Sequence, residues 1–221
     1  DAVTLESVCF MGFEARFVPY EMPGWDLSAA ITARALEKTN VVVLGSHGLV
    51  TCGRTVAEAE ALLFRVSEAL EPHELAPALA ASPALKHRVT AGWQAAPKNI
   101  THALALDPLR LAMADRATLY PDHAIFLGPG VVAAKETETA DEAASRAADG
   151  PPARKLVLFP GLGAALPADA SAAQKAMARC LGDVLARVPI GTPLRALTGA
   201  EEADLLNWDA EKYRQSMDKA Q

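Results

Sequence analysis

The sequence predicts an α/β protein, and three observations support this class. Two short apolar runs, Val41–Leu44 and 155–159, are typical of strands buried on both faces. Capping boxes at Thr55 and Ser171 predict the start of a helix behind each run. The 221 residues are 51% hydrophobic, which is enough apolar material for a sizeable core.

The first half of the chain predicts strands and helices in alternation. Residues 8–18 indicate one or two short strands, and Asp26 is suited to cap the helix that follows. The Val41–Leu44 strand comes next, and apolar sequence resumes after His47. The helix from Thr55 carries an apolar stripe on one face, formed by Ala59, Leu62, Leu63, Val66 and Leu70.

The second half begins with a segment that we interpret as a connection. Prolines punctuate residues 72–102, and Trp93 is expected to anchor this segment on a domain. Asp107 and Pro108 predict a helix start, and residues 124–127 and 131–134 predict strands. Further predicted elements are a solvated helix or mobile loop at 135–154, a helix from Ser171 to about Val188, and helices from Thr198 and from Asp209 to Lys219.

These elements predict two lobes. Residues 1–71 are expected to form part of one α/β domain, residues 72–102 the connecting region, and residues 103–221 a small α/β domain.

His47 is the most informative residue of the chain. It follows the Val41–Leu44 run and lies between Gly45 and Gly48, which let other groups approach the ring closely. A neutral histidine at a strand end is a common metal ligand. The alternative is a core histidine that donates a hydrogen bond to a backbone carbonyl.

Residues 40–53 and the helix behind them resemble the class II aldolase/adducin family, which includes zinc-dependent sugar-phosphate aldolases. The resemblance extends over residues 17–71. It implies the C-terminal part of an α/β/α domain, with His47 as the third ligand of Zn²⁺ or another divalent metal. It also implies a lyase that cleaves a carbon–carbon bond of a ketose or sugar phosphate through an enediolate.

Other family features have no counterpart in this sequence. The family's two remaining ligands form a His-x-His pair, which occurs nowhere in the chain. Because the chain begins at Asp1 without methionine, we expect a fragment that lacks the N-terminal part. Residues 103–221 resemble the middle region of bifunctional aldolase/short-chain dehydrogenase proteins, through 121–123 and 158–163. Two alternatives therefore stay open: an aldolase-like part of such a fusion, and a non-catalytic adducin-like assembly protein.

Other candidate residues carry weaker signals. The Gly161–Gly163 pair is a poor match to a dinucleotide-binding loop and predicts a tight strand-to-helix turn instead. His123 beside Asp122 is either a functional histidine or a turn residue, and Tyr20 with Glu21 is placed to line a pocket. The remaining histidines, His73, His87 and His102, are expected to be solvated.

Composition excludes several classes of partner. A net charge of −6 argues against nucleic acid, and no apolar run approaches the ~20 residues of a membrane span. Three scattered cysteines fit reduced thiols in a cytoplasmic protein better than a disulfide framework. We expect a homo-oligomer that acts on a carbohydrate-like small molecule.

Overall fold

The computed structural model describes residues 12–70, 79–115, 118–148 and 153–219. The chain divides into two compact units, Asp1–His73 and Glu74–Gln221. Each unit combines helices with a β-sheet, which confirms the predicted α/β class. Cys52 and Cys180 are free thiols.

The first unit contains a three-stranded sheet. Its strands lie in the order β1 (Ala15–Val18), β2 (Val41–Leu44) and β3 (Gly48–Thr51). Strands β1 and β2 are parallel, whereas β2 and β3 form an antiparallel hairpin. The carboxyl ends of β1 and β2 therefore meet at one edge of the sheet.

A helix packs on each face of this sheet, as the pleat of β2 requires. Val41 belongs to a buried cluster with residues of α2 (Val56–Ala69). The next residue, Val42, lies in a different cluster with residues of α1 (Trp25–Arg34). Successive strand residues point to opposite faces, so an uninterrupted apolar run serves both helices.

The predicted cap of α2 is present, although its return contact differs from the prediction. The Thr55 hydroxyl accepts a hydrogen bond from the Glu58 amide at 3.2 Å. The Glu58 carboxylate accepts bonds from the Arg54 amide, at 2.8 Å, and from its guanidinium, at 3.1 Å. The Glu58 carboxylate therefore bonds to the oppositely charged Arg54. In a reciprocal capping box it would bond to the backbone amide of Thr55.

The second unit contains a four-stranded sheet. Its order is β4 (Trp93–Ala95), β7 (Gly163–Pro167), β6 (Val157–Phe159) and β5 (Val132–Ala133). Only the β5–β6 pair among these is parallel. The segment expected to connect the lobes contributes the edge strand β4, and Trp93 packs on the sheet as expected. It also contributes 3-10 helices at Pro83–His87 and Ile100–His102.

Helices surround the second sheet, and most begin where the sequence predicts. The predicted caps Asp107, Ser171 and Thr198 are all present. The helices are α3 (Ala103–Leu106), α4 (Pro108–Ala114), α5 (Pro121–Leu127), α6 (Ala140–Arg146), α7 (Ala172–Arg187), α8 (Gly199–Asn207) and α9 (Asp209–Lys219). None of the helices in the described ranges is long and apolar enough to cross a bilayer.

The predicted strand at residues 124–127 is wrong, because these residues form most of α5. Pro121 occupies the first turn, where proline favours a helix, and Gly128 ends the helix with a φ of 81°. This helix is short and buried on almost every side, so its sequence lacks the alternation of apolar and polar residues that marks an amphipathic helix. A short apolar run of this kind fits a buried strand equally well.

The predicted strand-to-helix turn at Gly161–Gly163 is also wrong. Gly163 pairs with Phe159 and opens β7, so the loop closes a β-hairpin. The following helix, α7, begins only at Ala172. Without a helix N-terminus at the loop, the arrangement lacks the geometry that binds a dinucleotide pyrophosphate.

Part of the segment 135–154, which is expected to be a solvated helix or mobile loop, instead packs on the sheet as α6. Ala140 and Ala143 of α6 are fully buried against it. The Arg88 guanidinium donates to the carbonyls of Lys135, Glu136 and Glu138. It also lies 5.4 Å from the centre of the Phe159 ring, so contacts of a half-buried arginine hold the loop before α6.

Candidate functional site

The candidate site lies at the edge of the first sheet where β1 and β2 end. The Gly45 amide, just beyond β2, donates to the carbonyl of Val18, the last residue of β1, at 2.8 Å. The turn after β2 is thereby joined to the end of β1. In α/β proteins, ligands bind preferentially beyond the carboxyl ends of parallel strands.

A three-residue turn, Gly45 to His47, carries the chain from β2 into β3. Leu44 pairs with Gly48 across the hairpin, and the His47 amide donates to the Leu44 carbonyl at 3.2 Å. Ser46 has a φ of 55°, the single positive φ of a non-glycine residue within the described ranges. Such a conformation costs a non-glycine residue about 1–2 kcal/mol, and strain of this kind clusters at functional sites.

Glycine is required at position 45 because another loop lies against it. A Cβ added to Gly45 would lie 2.9 Å from the Tyr20 amide nitrogen and 3.3 Å from the Pro19 carbonyl carbon. The structure therefore brings the backbone of Tyr20, one of the predicted pocket residues, beside the His47 turn. Glu21 continues the same loop and is partly buried.

The His47 side chain is exposed to solvent. The alternative interpretation, a core histidine bonded to a backbone carbonyl, is therefore wrong.

Among the described residues, His47 is the one side chain predicted to bind a metal. An exposed imidazole suits a metal ligand, because solvent and ions can reach the side chain. Nowhere in residues 12–70, 79–115, 118–148 and 153–219 do three His, Cys, Asp or Glu side chains gather closely enough to hold a metal. A catalytic zinc site usually has three protein ligands, so His47 fits one position of an incomplete set.

Comparison with known proteins found one match, in this part of the chain. Residues 1–73 match the family model of the class II aldolase and adducin N-terminal domain. The match, hereafter the matched segment, contains both the Tyr20 loop and the His47 turn. No curated protein and no solved structure matched the chain.

His102, expected to be solvated, is instead buried in the second unit, with 1% of its surface exposed. Its Nε2 lies 3.0 Å from the carbonyl oxygen of Ala96, just after β4. Its Nδ1 accepts a hydrogen bond from the Ala164 amide in β7 at 3.1 Å. This neutral ring therefore bridges two segments of backbone. His87 is exposed as predicted, and His73 lies outside the described residues.

His123 is fully buried in α5, where its Nε2 lies 3.1 Å from the Gly130 carbonyl oxygen. Its neighbour Asp122 pairs with Arg214 at 3.0 Å on the surface. Asp122 therefore does not orient the imidazole, and the Asp–His pair considered from the sequence does not form. His123 is therefore not a turn residue either: it is a buried residue of α5, and its Nδ1 has no hydrogen-bond partner among the described residues.

The two buried histidines predict that the second unit loses stability in mild acid. Burial lowers the pKa of His102, and it lowers the pKa of His123 to about 4. An unfolded histidine titrates near 6.5, so between pH 6.5 and 4 the unfolded chain binds protons that the folded chain does not. Stability should be complete above about pH 6.5 and fall toward pH 4, with His123 alone contributing about 3 kcal/mol.

Urea denaturation at several pH values measures this effect. His123→Leu should reduce the slope of unfolding free energy against pH between 6.5 and 4. The exposed His87 offers a matched control, since His87→Leu should leave the slope unchanged. Equal slopes for the His123 variant and the wild type would contradict the assignment.

Proposed function

We propose that the matched segment is part of a metal-dependent class II aldolase-type lyase, in which His47 is one metal ligand. The observation that carries the proposal is the exposed His47 ring on a strained turn where parallel strands β1 and β2 end. The substrate would be a ketose or sugar phosphate, whose carbonyl group is the reactive centre. The match of this segment to the class II aldolase and adducin family model supports the reaction class.

The residues around His47 hold its backbone in place. The Cys52 amide donates to the Asn40 carbonyl at 2.9 Å, which closes the base of the β2–β3 hairpin. The Thr51 hydroxyl donates to the Ala59 carbonyl of α2 at 3.0 Å. These hydrogen bonds support the hairpin that carries the His47 imidazole, as a preorganised metal ligand requires.

The chain's own contribution to the chemistry is this positioned imidazole. A divalent metal bound there would supply Lewis acidity toward a substrate carbonyl oxygen. The neighbouring Tyr20 loop would form one side of the substrate site. The remaining ligands and the carboxylate that transfers the proton would come from outside the described residues.

A second candidate is a non-catalytic assembly role of the adducin type. The observation that favours it is the single candidate ligand among the described residues. Retro-aldol assays with ketose phosphates and added Zn²⁺ separate the two functions. Turnover by the full-length protein that His47→Ala abolishes supports the lyase, and complete inactivity with no metal bound supports the assembly role.

Replacement of His47 is expected to weaken metal binding with little effect on folding. In the full-length protein, His47→Ala should lower zinc affinity by at least the ~10–100-fold seen when supporting groups of metal sites are lost. Because the ring is exposed, the free energy of unfolding should change by less than about 1 kcal/mol. Competition with a chromophoric chelator measures affinity, and urea denaturation measures stability.

His87→Ala is the matched control, since His87 is also exposed but lies in the second unit. It should leave both quantities unchanged. Unaltered zinc affinity in His47→Ala, together with a large loss of stability, would make His47 a structural residue and remove the support for the lyase.

A further inference from the structure

A groove in the second unit has the size and lining of a small-molecule site. It has a volume of about 690 Å³, within the ~300–1,000 Å³ usual for such sites. Helices α5, α8 and α9 form its walls, with Ile125, Phe126 and Leu206 as apolar lining. It lies wholly in the second unit and does not depend on the function proposed for His47.

Ion pairs and hydrogen bonds fix the walls of the groove. Arg214 of α9 pairs with Asp122 of α5 at 3.0 Å and with Glu211 at 2.9 Å. Its guanidinium also lies 5.4 Å from the centre of the Phe126 ring. At the far end of α9, Asp218 accepts a hydrogen bond from the Ser171 hydroxyl at 2.8 Å. The groove is therefore largely formed without a ligand.

A carboxylate is held at one end of the groove. The Thr118 hydroxyl donates to Oε1 of Glu202, and it accepts a hydrogen bond from the Gly130 amide at 2.8 Å. Within the described ranges, Oε2 of Glu202 makes no hydrogen bond and is available to accept one. Glu202 also lines a second cavity of about 170 Å³, which shares Pro129 with the groove.

Amide side chains supply most of the other polar groups. Asn207 and Gln215 line the groove, and within the described part of the chain their amides make no hydrogen bonds. Lys155 contributes an ammonium group that donates to the Phe126 carbonyl at 3.2 Å. An amide offers a donor and an acceptor side by side, and vicinal hydroxyls offer the same pair.

The charges of the residues that line the groove limit the kinds of ligand that it can bind. The lining carries one cation, Lys155, and two anions, Glu202 and Asp218. A phosphorylated ligand would meet this net negative charge, and a purely apolar ligand would desolvate the amides without replacing their hydrogen bonds. We infer that this groove is a binding site for a neutral polyhydroxylated small molecule, such as a sugar or an alditol.

Titration of the ¹⁵N-labelled chain with D-xylose or xylitol, followed by amide chemical shifts, tests the inference. We expect saturable shifts at Glu202, Asn207 and Gln215. Glu202→Gln and the double variant Asn207→Leu/Gln215→Leu should each weaken binding at least about tenfold, because the first replaces a charged acceptor by a neutral amide and the second removes hydrogen-bonding groups. Asp204→Asn is the control, because Asp204 is exposed on α8 and does not line the groove.

Inorganic phosphate and indole serve as competing probes. Binding of xylose or xylitol that the groove variants weaken and Asp204→Asn preserves supports the site. No saturable shift with either polyol, equal affinity in all variants, or binding of phosphate or indole alone would overturn it. If the double variant does not fold, the near-isosteric Glu202→Gln carries the test.

Discussion

His102→Leu should destabilise the second unit by about 2–5 kcal/mol. Leucine preserves much of the volume, but it leaves the Ala164 amide and the Ala96 carbonyl without their buried partner. Each unsatisfied buried polar group costs about 1–3 kcal/mol. The unfolding free energy from urea denaturation measures the loss.

His87→Leu is the matched control for this prediction. His87 is exposed and lies in a 3-10 helix of the same unit, so its replacement should change stability by less than about 0.5 kcal/mol. A loss below 1 kcal/mol for His102→Leu would mean that the ring does not bridge the backbone segments at Ala96 and Ala164.

Gly163→Ala should be comparably damaging, with a loss of about 2–5 kcal/mol. Gly163 has a φ of 132°, which a side chain disfavours. Its added Cβ would also lie 2.9 Å from Nδ1 of His102 and 3.2 Å from the Ala81 Cα. Backbone strain of about 1–3 kcal/mol and overpacking of about 1–3 kcal/mol combine here.

Gly161→Ala separates the two causes. Gly161 has a φ of 72°, but a Cβ there would have open space around it. This variant should therefore lose only the backbone contribution, about 1–2 kcal/mol. Thermal unfolding followed by circular dichroism compares the variants. Equal losses for both would show that the close approach of His102 to Gly163 carries no energetic weight.

Local signals allowed much of the fold to be predicted. Strands β2 and β6 were visible as apolar runs, and the starts of α4, α7 and α8 were visible from their caps. These features depend on residues within one or two turns of each other, so the sequence carries them directly.

Features that depend on distant partners were not predictable. The burial of His102 depends on Ala164, 62 residues further along the chain. The hairpin at Gly161 forms because β7 pairs with both β6 and β4, and β4 lies in a proline-rich segment that looked like a linker. The apolar run Ile100 to Leu106 was the one available signal that His102 enters a core.

The candidate site was predicted in part. The glycines beside His47 predicted a close approach of other groups, and the structure shows the Tyr20 backbone packed against Gly45. The strained Ser46 and the exposure of the His47 ring could not be predicted, because both depend on how the hairpin closes. The resemblance implies a His-x-His pair that the sequence lacks, and the described residues bring no three possible ligands together.

The imidazole of His47 offers the most direct test of the proposed metal site. In full-length protein labelled with ¹⁵N-histidine, zinc titration followed through the ring nitrogens reports each histidine separately. We predict that a His47 ring nitrogen shifts and saturates at one zinc per chain, while the buried rings of His102 and His123 do not respond. Stoichiometric zinc binding that leaves both His47 ring nitrogens unshifted would contradict its assignment as a ligand.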